Sequence, residues 1–329
     1  MIDGGDYMLI GEIHTGLVQH STALSLPEMV QLLQLREGAH VATSVRPTSY
    51  AASAEIPDGV DCMLPSAAHR RVRAVGTMLS RASIIGGRVI QASAAASVET
   101  SAAGRRLAWP HYIARAGRLE VIGKWDPADM VDGFLRPRPG AAAEEERLEP
   151  GGIATRLIDR VQMAEALDRS PPLRAARTHL RWAVHIDEAR ADDGLLTFTV
   201  DADGQRSLEM VLGSQDAAEA EGLCRDLALH DWLLTTVNAA LDAAHTAPPG
   251  AVPRAARLGP VVEHLSRLWT PGARVAPAML TAWEQLERRP GFTRQWQSSI
   301  AAARDLLAVA TFELLHTARP AGAQSLTKT

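Results

Sequence analysis

One segment limits how this chain can fold, because residues 126–152 break the periodic patterns on either side of them. Eight of these residues are proline or glycine, and they surround a run of alanines and glutamates. Such a composition is typical of a linker or a long surface loop. We therefore predict a β-rich domain at 1–125, a linker or loop at 126–152, a helical domain with a small sheet at 153–318 and a flexible tail at 319–329.

The first part has the pattern of strands interrupted by one helix. Residues 7–18 suit an opening strand, and Gly86-Gly87 between two apolar runs suits a two-residue hairpin turn. Ser25 and Glu28 have the spacing of a capping box, which predicts a helix start. Several short strands at this spacing favour a compact barrel or sandwich.

The second part has the pattern of a small sheet followed by helices. Three strand-like stretches are separated by Asp193-Gly194 and Asp203-Gly204, which predicts a three-stranded antiparallel meander. Downstream, leucines and tryptophans recur at helical spacing. We predict an α+β protein in which a helical bundle carries this meander.

Composition excludes several broad classes of protein. The 329 residues are 46% hydrophobic and 22% charged, which is typical of a globular chain rather than a disordered one. The two cysteines, Cys62 and Cys224, form no disulfide framework and fit a reducing compartment. The sequence shows neither a basic, apolar leader nor an apolar run of about 20 residues, so we expect a cytoplasmic protein without membrane contact.

Charge is spread unevenly, although the net charge is only −4. Residues 62–124 contain ten basic and two acidic side chains, so this stretch carries a net charge of +8. Such asymmetry favours an anionic ligand or partner. Because only Trp109 and Tyr112 are interleaved with this charge, stacking on single-stranded nucleic acid is poorly supported and a nucleic-acid partner is the least favoured hypothesis.

The strong catalytic motifs are absent from the sequence. It contains no Walker phosphate loop, no GxGxxG after a strand, no HExxH, no GxSxG and no CxxC pair. We therefore predict no cofactor and no metal site. The question of an enzyme stays open, with a non-enzymatic protein favoured.

Two pairs of polar residues have a spacing that chemistry could use. Asp226 and His230 are four residues apart and share a helix face, so the carboxylate could orient the imidazole. Glu12 and His14 are two residues apart on the opening strand and point the same way, as an acid and a base would. For both pairs a structural role is favoured over a catalytic one.

The basic stretch supplies candidate ligand-binding residues. Arginine and tyrosine donors can receive an anionic group, and the candidates are Arg73, Arg81, His111, Tyr112 and Arg115. This hypothesis requires the five side chains to converge on one pocket. The alternative is an exposed loop whose aromatic residues anchor the chain against the core.

Arg274 lies in the string TPGARVAP, between two predicted helices. Its flanking prolines and glycine constrain the backbone, and constrained loops with a charged residue often bind a partner. The alternative is an arginine that caps the last carbonyls of the preceding helix.

Several strings give the chain a resemblance to a known group. They are GVDCMLP, RVRAVGT, GGRVIQ, HYIARAGRLEVIG, LALHDWLLTT, LWTPGARVAP and WEQLERRPGFTRQW. The chain resembles an uncharacterised actinobacterial protein family over nearly its whole length, apart from the linker and about the last ten residues. The resemblance implies a gene context beside a variant P-loop protein and a S-adenosylmethionine-dependent methyltransferase-like protein. It assigns no site residue, because no catalytic motif is known in that family.

We therefore expect a non-enzymatic accessory or scaffold component of a cytoplasmic multi-protein system, which binds a protein partner such as a P-loop ATPase. The alternative is an enzyme or a binder of an anionic small molecule, with its site on the basic β-rich part. The sequence leaves the partner, the ligand and the oligomeric state open.

Overall fold

A computed structural model describes residues 7–68, 70–137, 147–186, 196–213, 219–246 and 251–317. The strands are β1 (Tyr7–Leu17), β2 (Ala42–Ser44), β3 (Tyr50–Ala52), β4 (Ile56–Leu64), β5 (Val72–Ile85), β6 (Val89–Thr100), β7 (Arg118–Ile122), β8 (Thr178–Ile186), β9 (Leu196–Val200) and β10 (Arg206–Leu212). The helices are α1 (Leu26–Leu33), α2 (Trp109–Ile113), α3 (Pro127–Leu135), α4 (Pro150–Gln162), α5 (Ala220–His245), α6 (Ala251–Leu265), α7 (Leu280–Arg288) and α8 (Phe292–Thr317). This mixture of helices and strands confirms the predicted α+β class.

All ten of these strands belong to one mixed sheet. Its order is β2-β3-β5-β7-β6-β1-β8-β10-β9, while β4 pairs with β5 and β5 also pairs with β6. β1 lies in the middle of the sheet, antiparallel to both β6 and β8. Two pairings, β6 with β7 and β8 with β10, are parallel.

Helices cover both faces of this sheet because the central strands are apolar on both sides. Met8 and Ile10 of β1 pack against α3, whereas Ile13 packs against α5. We call the side covered by α1, α3 and α4 the front face, and the side covered by α5 to α8 the back face. The result is three layers, helix on sheet on helix. Within the described ranges, no helix is both apolar and long enough to cross a bilayer.

Two local predictions in the first half are confirmed. α1 follows a capping box in which the backbone N–H of Ser25 donates to Glu28 Oε2 at 2.7 Å. Gly86 and Gly87 turn from β5 into β6 with φ angles of 59° and 65°. A Cβ atom at Gly87 would lie 2.2 Å from the backbone oxygen of Leu24, so both the conformation and the space require glycine.

The predicted barrel or sandwich is not found, and the two-domain arrangement is not confirmed. Strands from both sides of residues 126–152 are hydrogen-bonded to each other, with Glu12 of β1 opposite Arg181 of β8. Along the described part of the chain the sheet is open rather than closed into a barrel. The physical reason is that the exposed edge of β1 is completed by β8 from the second half.

The segment predicted as a linker contains helix α3. Asp126 caps this helix by accepting a hydrogen bond from the backbone N–H of Ala128 at 3.0 Å, and Pro127 occupies the first turn. Met130 and Phe134 are buried against the sheet. Proline interrupts a helix interior but suits its first turn, which is why the composition was misleading here. Residues 138–146 and the predicted tail 319–329 lie outside the described residues.

The predicted meander is wrong in its strand order. The turn at Asp203-Gly204 joins β9 to β10 as expected, with Gly204 at a φ of 82°. However, β10 lies between β8 and β9 and runs parallel to β8. Its Leu208 and Met210 are fully buried, whereas β9 is mostly exposed, so β10 takes the inner position and β9 the edge. The other predicted turn, Asp193-Gly194, lies outside the described residues.

Candidate functional site

The five ligand-binding residues predicted from the basic stretch lie in separate neighbourhoods. His111 and Arg115 are brought together, because both bind the buried carboxylate of Glu120. The distance from His111 Nε2 to Glu120 Oε1 is 2.6 Å, and a second carboxylate, Glu99, accepts a hydrogen bond from Arg115 at 2.6 Å. The guanidinium of Arg115 and the imidazole of His111 therefore both have acidic partners on the same sheet.

Tyr112 and Arg73 also have partners within the protein. Tyr112 is 1% exposed, and its hydroxyl accepts a hydrogen bond from the backbone N–H of Leu107 at 2.9 Å. Tyr112 therefore anchors the chain, as the alternative interpretation expected. Arg73 binds both carboxylate oxygens of Asp61, at 2.8 and 2.9 Å, beside a shallow hollow that Cys62 and Met63 also line.

Arg81 is different, because it lines a pocket together with two arginines from the second half of the chain. This pocket, which we call the arginine pocket, has a volume of about 290 Å³. It lies between the back face of the sheet and the start of α5. Its lining residues are Ala42, Tyr50, Ala52, Arg81, Gln91, Gly222, Arg225, Asp226 and Arg274.

Arg274 enters the arginine pocket from the loop that the sequence singled out. Its Nη2 donates to Thr48 Oγ1 at 2.6 Å, and its guanidinium carbon lies 5.0 Å from the centre of the Tyr50 ring. Burial lowers the pKa of Arg274, although the carboxylate of Asp226 acts in the opposite direction. Arg274 bonds to no helix carbonyl among the described residues, so the capping interpretation is not supported.

The Asp226–His230 pair holds the Arg274 loop in place. Gly272 donates its backbone N–H to Asp226 Oδ2 at 2.8 Å, and Thr270 donates its own to His230 Nε2 at 3.2 Å. Gly272 has a φ of 72°, which suits glycine at this turn. Asp226 and His230 therefore act together to position the loop that carries Arg274.

The hydrogen bonds determine the protonation of His230. Its Nδ1 lies 2.7 Å from the backbone oxygen of Asp226, and its Nε2 receives the N–H of Thr270. His230 is thus a neutral imidazole protonated on Nδ1, and burial lowers its pKa accordingly. Burial also raises the pKa of Asp226, whereas His230, Gly272 and Arg274 oppose that rise.

Three residues that line the arginine pocket each have a buried polar atom without a hydrogen-bond partner among the described residues. These atoms are Arg81 Nε, Arg225 Nη1 and Asp226 Oδ1. Arg81 uses its Nη2 to bind Glu55 at 2.8 Å, and the nearest carboxylate to Arg225 is Glu221 at 3.6 Å. Arg81 and Arg225 thus have donors, and Asp226 an acceptor, without a partner; buried polar atoms of this kind cost free energy, and the two arginine donors favour a ligand that supplies acceptor oxygens.

The sequence did not reveal Arg225, Gln91 or Tyr50 as members of a site. Gln91 is buried on β6 and connects the layers, since its Nε2 donates to Thr15 Oγ1 and to the backbone oxygen of Arg225. The position of this polar residue within the apolar sequence of β6 is the feature that could have identified Gln91 as a candidate. Arg225 gave none, because arginine is abundant throughout this chain.

Glu12 and His14 lie on the front face, away from the arginine pocket. Both are buried, and His14 Nε2 lies 2.9 Å from Glu12 Oε1. The His14 imidazole contacts Thr155 of α4, and the Glu12 carboxylate accepts a hydrogen bond from Arg181 of β8. The sequence did not reveal either partner.

No protein-family model, curated protein or solved structure matches this chain. The resemblance to an actinobacterial family therefore stays an expectation, together with the gene context it implies. Function has to be inferred from the chemistry of the sites themselves.

Proposed function

We propose that the protein binds a small organic anion, carrying a phosphate or carboxylate group, in the arginine pocket. The observation that carries this proposal is the convergence of Arg81, Arg225 and Arg274 on one cavity, with Arg274 making no ion pair within the described chain. Planar guanidinium groups bind phosphate and carboxylate oxygens through paired hydrogen bonds.

The size of the arginine pocket limits the ligand. Its volume of about 290 Å³ is at the lower end of the range for small-molecule sites. Small side chains, Ala42, Ala52 and Gly222, leave room between the arginines, and the Tyr50 ring forms an apolar wall. These features suit a compact anion rather than a nucleic-acid strand.

We expect phosphate or succinate to raise the melting temperature of the protein above that in sodium chloride of equal ionic strength. The Arg225→Gln and Arg274→Gln substitutions should each weaken binding of the effective anion by about 10- to 100-fold, because each removes charge-assisted hydrogen bonds. Isothermal titration calorimetry measures this change directly.

One control variant and one further variant of the pocket extend that experiment. Arg73→Gln removes an arginine that is bound to Asp61 outside the arginine pocket, so affinity should stay unchanged. Asp226→Asn removes a negative charge from the pocket wall and should strengthen binding of the anion. The proposal fails if neither anion stabilises the protein, or if Arg73→Gln weakens binding as much as Arg225→Gln.

A second candidate function is docking of a protein partner, such as the P-loop ATPase expected from the resemblance, in a cytoplasmic assembly. The observation that favours it is an apolar stripe on α8, where Val309, Phe312 and Leu315 are 50%, 69% and 69% exposed. They are three residues apart and share a helix face. Such apolar side chains in a row are typical of an interaction surface.

We expect Phe312→Glu to abolish co-purification of the tagged protein with the P-loop protein whose gene the resemblance places beside its own. The charge would be placed on the surface that a partner has to desolvate. Glu313→Gln, a change at the adjacent position of α8, is the matched control and should leave the complex intact. Recovery of the same partner with Phe312→Glu would exclude α8 as the contact.

A further inference from the structure

A second polar network is buried on the front face, independent of the arginine pocket. Glu12 and His14 of β1 meet Thr155 of α4 and Arg181 of β8. His14 Nε2 lies 2.9 Å from Glu12 Oε1, and His14 Nδ1 lies 3.1 Å from Thr155 Oγ1. Arg181 Nε donates to Glu12 Oε2 at 3.0 Å. The hydroxyl, the imidazole and the carboxylate therefore form one continuous chain of hydrogen bonds.

Gly151 allows α4 to approach β1 closely enough for this contact. A Cβ atom at Gly151 would lie 2.4 Å from Glu12 Oε1, well inside van der Waals contact. Strand alternation puts Glu12 and His14 on the same face of β1, and α4 crosses that face. Thr155 follows Gly151 by four residues, so both lie on the side of the helix that faces the strand.

The partners of His14 determine which atom carries each proton. Burial raises the pKa of Glu12, but the hydrogen bond from His14 and the charge of Arg181 outweigh it and lower the pKa below its usual value. The ionised Glu12 accepts a hydrogen bond from the Nε2–H of His14, which leaves Nδ1 facing the Thr155 hydroxyl. In the tautomer protonated on Nε2 alone, His14 Nδ1 accepts a hydrogen bond from the Thr155 hydroxyl. His14 and Glu12 are buried, whereas Thr155 is only half-buried.

Three side chains in this neighbourhood have atoms of the kind that coordinate metal ions. Ligand atoms of Glu12, His14 and His179 lie within 4.8 Å of one another. However, the His14 and His179 rings are stacked, 3.9 Å apart and within 4° of parallel, so their in-plane lone pairs do not converge on one point. The Arg181 guanidinium also forms an ion pair with the Glu12 carboxylate, which occupies one of its oxygens. The arrangement fits proton transfer better than metal coordination.

We propose that Thr155 is a nucleophile that accepts an acyl group from an ester, with His14 as its general base and Glu12 as a positioning residue. Thr155 Oγ1 attacks the ester carbonyl and forms a new C–O bond, while its proton passes to His14 Nδ1. The bond from the carbonyl carbon to the leaving oxygen then breaks, and that oxygen takes the proton from His14. Water then attacks the carbonyl of the acyl-threonine while its proton passes to His14 Nδ1. The bond from the carbonyl carbon to Thr155 Oγ1 breaks, Oγ1 takes the proton back from His14, and the carboxylic acid is released.

The experiment uses p-nitrophenyl acetate as the acyl donor and the intact protein as the acceptor. We expect an acetyl ester on Thr155, identified by peptide mass spectrometry and removed by hydroxylamine, which separates it from amides formed on lysine. Thr155→Val should abolish the label and Thr155→Ser should keep it. His14→Asn should slow labelling by about 100-fold or more, as loss of a general base does.

His20 provides the matched control. It lies beside a carboxylate, 3.4 Å from Asp168, on the loop after β1, and its replacement by asparagine should leave the rate of labelling unchanged. Thermal melting of each variant confirms that it is folded before labelling. The proposal is overturned if Thr155 takes up no acetyl group, or if a folded His14→Asn variant is labelled as fast as the wild type. Because the arginine pocket is on the opposite face, anion binding can fail without affecting this result.

Discussion

Replacing Trp232 with alanine should lower the free energy of unfolding by about 3–5 kcal/mol, as large-to-small changes at fully buried aromatic residues do. Trp232 on α5 is 0% exposed, and its indole N–H donates to the backbone oxygen of Ala176 at 2.8 Å. It belongs to a cluster in which Leu17, Ile85 and Val89 from the first half of the chain pack with α5, α6 and α8. The cavity left by the substitution would therefore affect both halves together.

Urea unfolding followed by circular dichroism measures this loss, and hydrogen exchange shows where it occurs. We expect one cooperative transition, shifted to lower urea, with amides of β1 and β6 losing protection in step with those of α5. Trp109→Ala is the control, because Trp109 is only half-buried and a smaller loss follows. Two separate transitions, of which only the second shifts, would instead support the division into domains at residues 126–152.

The Asp231→Ala substitution should be comparably destabilising, by about 3–5 kcal/mol, because it leaves a buried cation without its counter-charge. Asp231 on α5 pairs with Arg206 on β10, and the two side chains are only 10% and 12% exposed. Arg206 also donates to Thr235 Oγ1 at 2.9 Å, so it cannot turn towards solvent without losing a further bond. Burial raises the pKa of Asp231, whereas Arg206 opposes that rise.

A double substitution distinguishes an unpaired charge from a simple packing defect. Changing Asp231 to leucine and Arg206 to methionine together removes both charges, so most of the lost stability should return. Asp242→Ala, on the exposed end of the same helix, should change stability by less than about 0.5 kcal/mol. A double variant no more stable than Asp231→Ala would contradict the explanation. Chemical denaturation curves of the four proteins, including the wild type, provide the comparison.

Features encoded by a few neighbouring residues were predictable from the sequence. The capping box at Ser25 and the paired glycines at 86 and 87 each depend on contacts within a short stretch, and both are present. The long helices of the second half also follow from apolar spacing alone. In these places the chemistry that decides the structure is local.

The pairing of β1 with β8 could not be predicted, because β1 is buried over most of its length and lacks the alternation that marks an exposed face, while β8 alternates only over its first five residues. The sequence of such a strand does not indicate which strand it pairs with. The same limit applies to the arginine pocket, where Arg81 and Arg274 are distant in sequence and meet only through the fold. Pro127 and Pro150 predicted a linker for a different reason, since the effect of a proline depends on whether it lies in the first turn of a helix or in its interior.

The central position of β1 has a consequence for how the protein is made. A ribosome releases β1 long before it has synthesised Thr178–Ile186, the strand that completes its second edge. During that interval the nascent chain presents an apolar strand with free N–H and C=O groups, the state in which chains mispair with one another. Rapid synthesis of the segment up to Ile186, or a chaperone that shields the early strands, would therefore raise the yield of native protein.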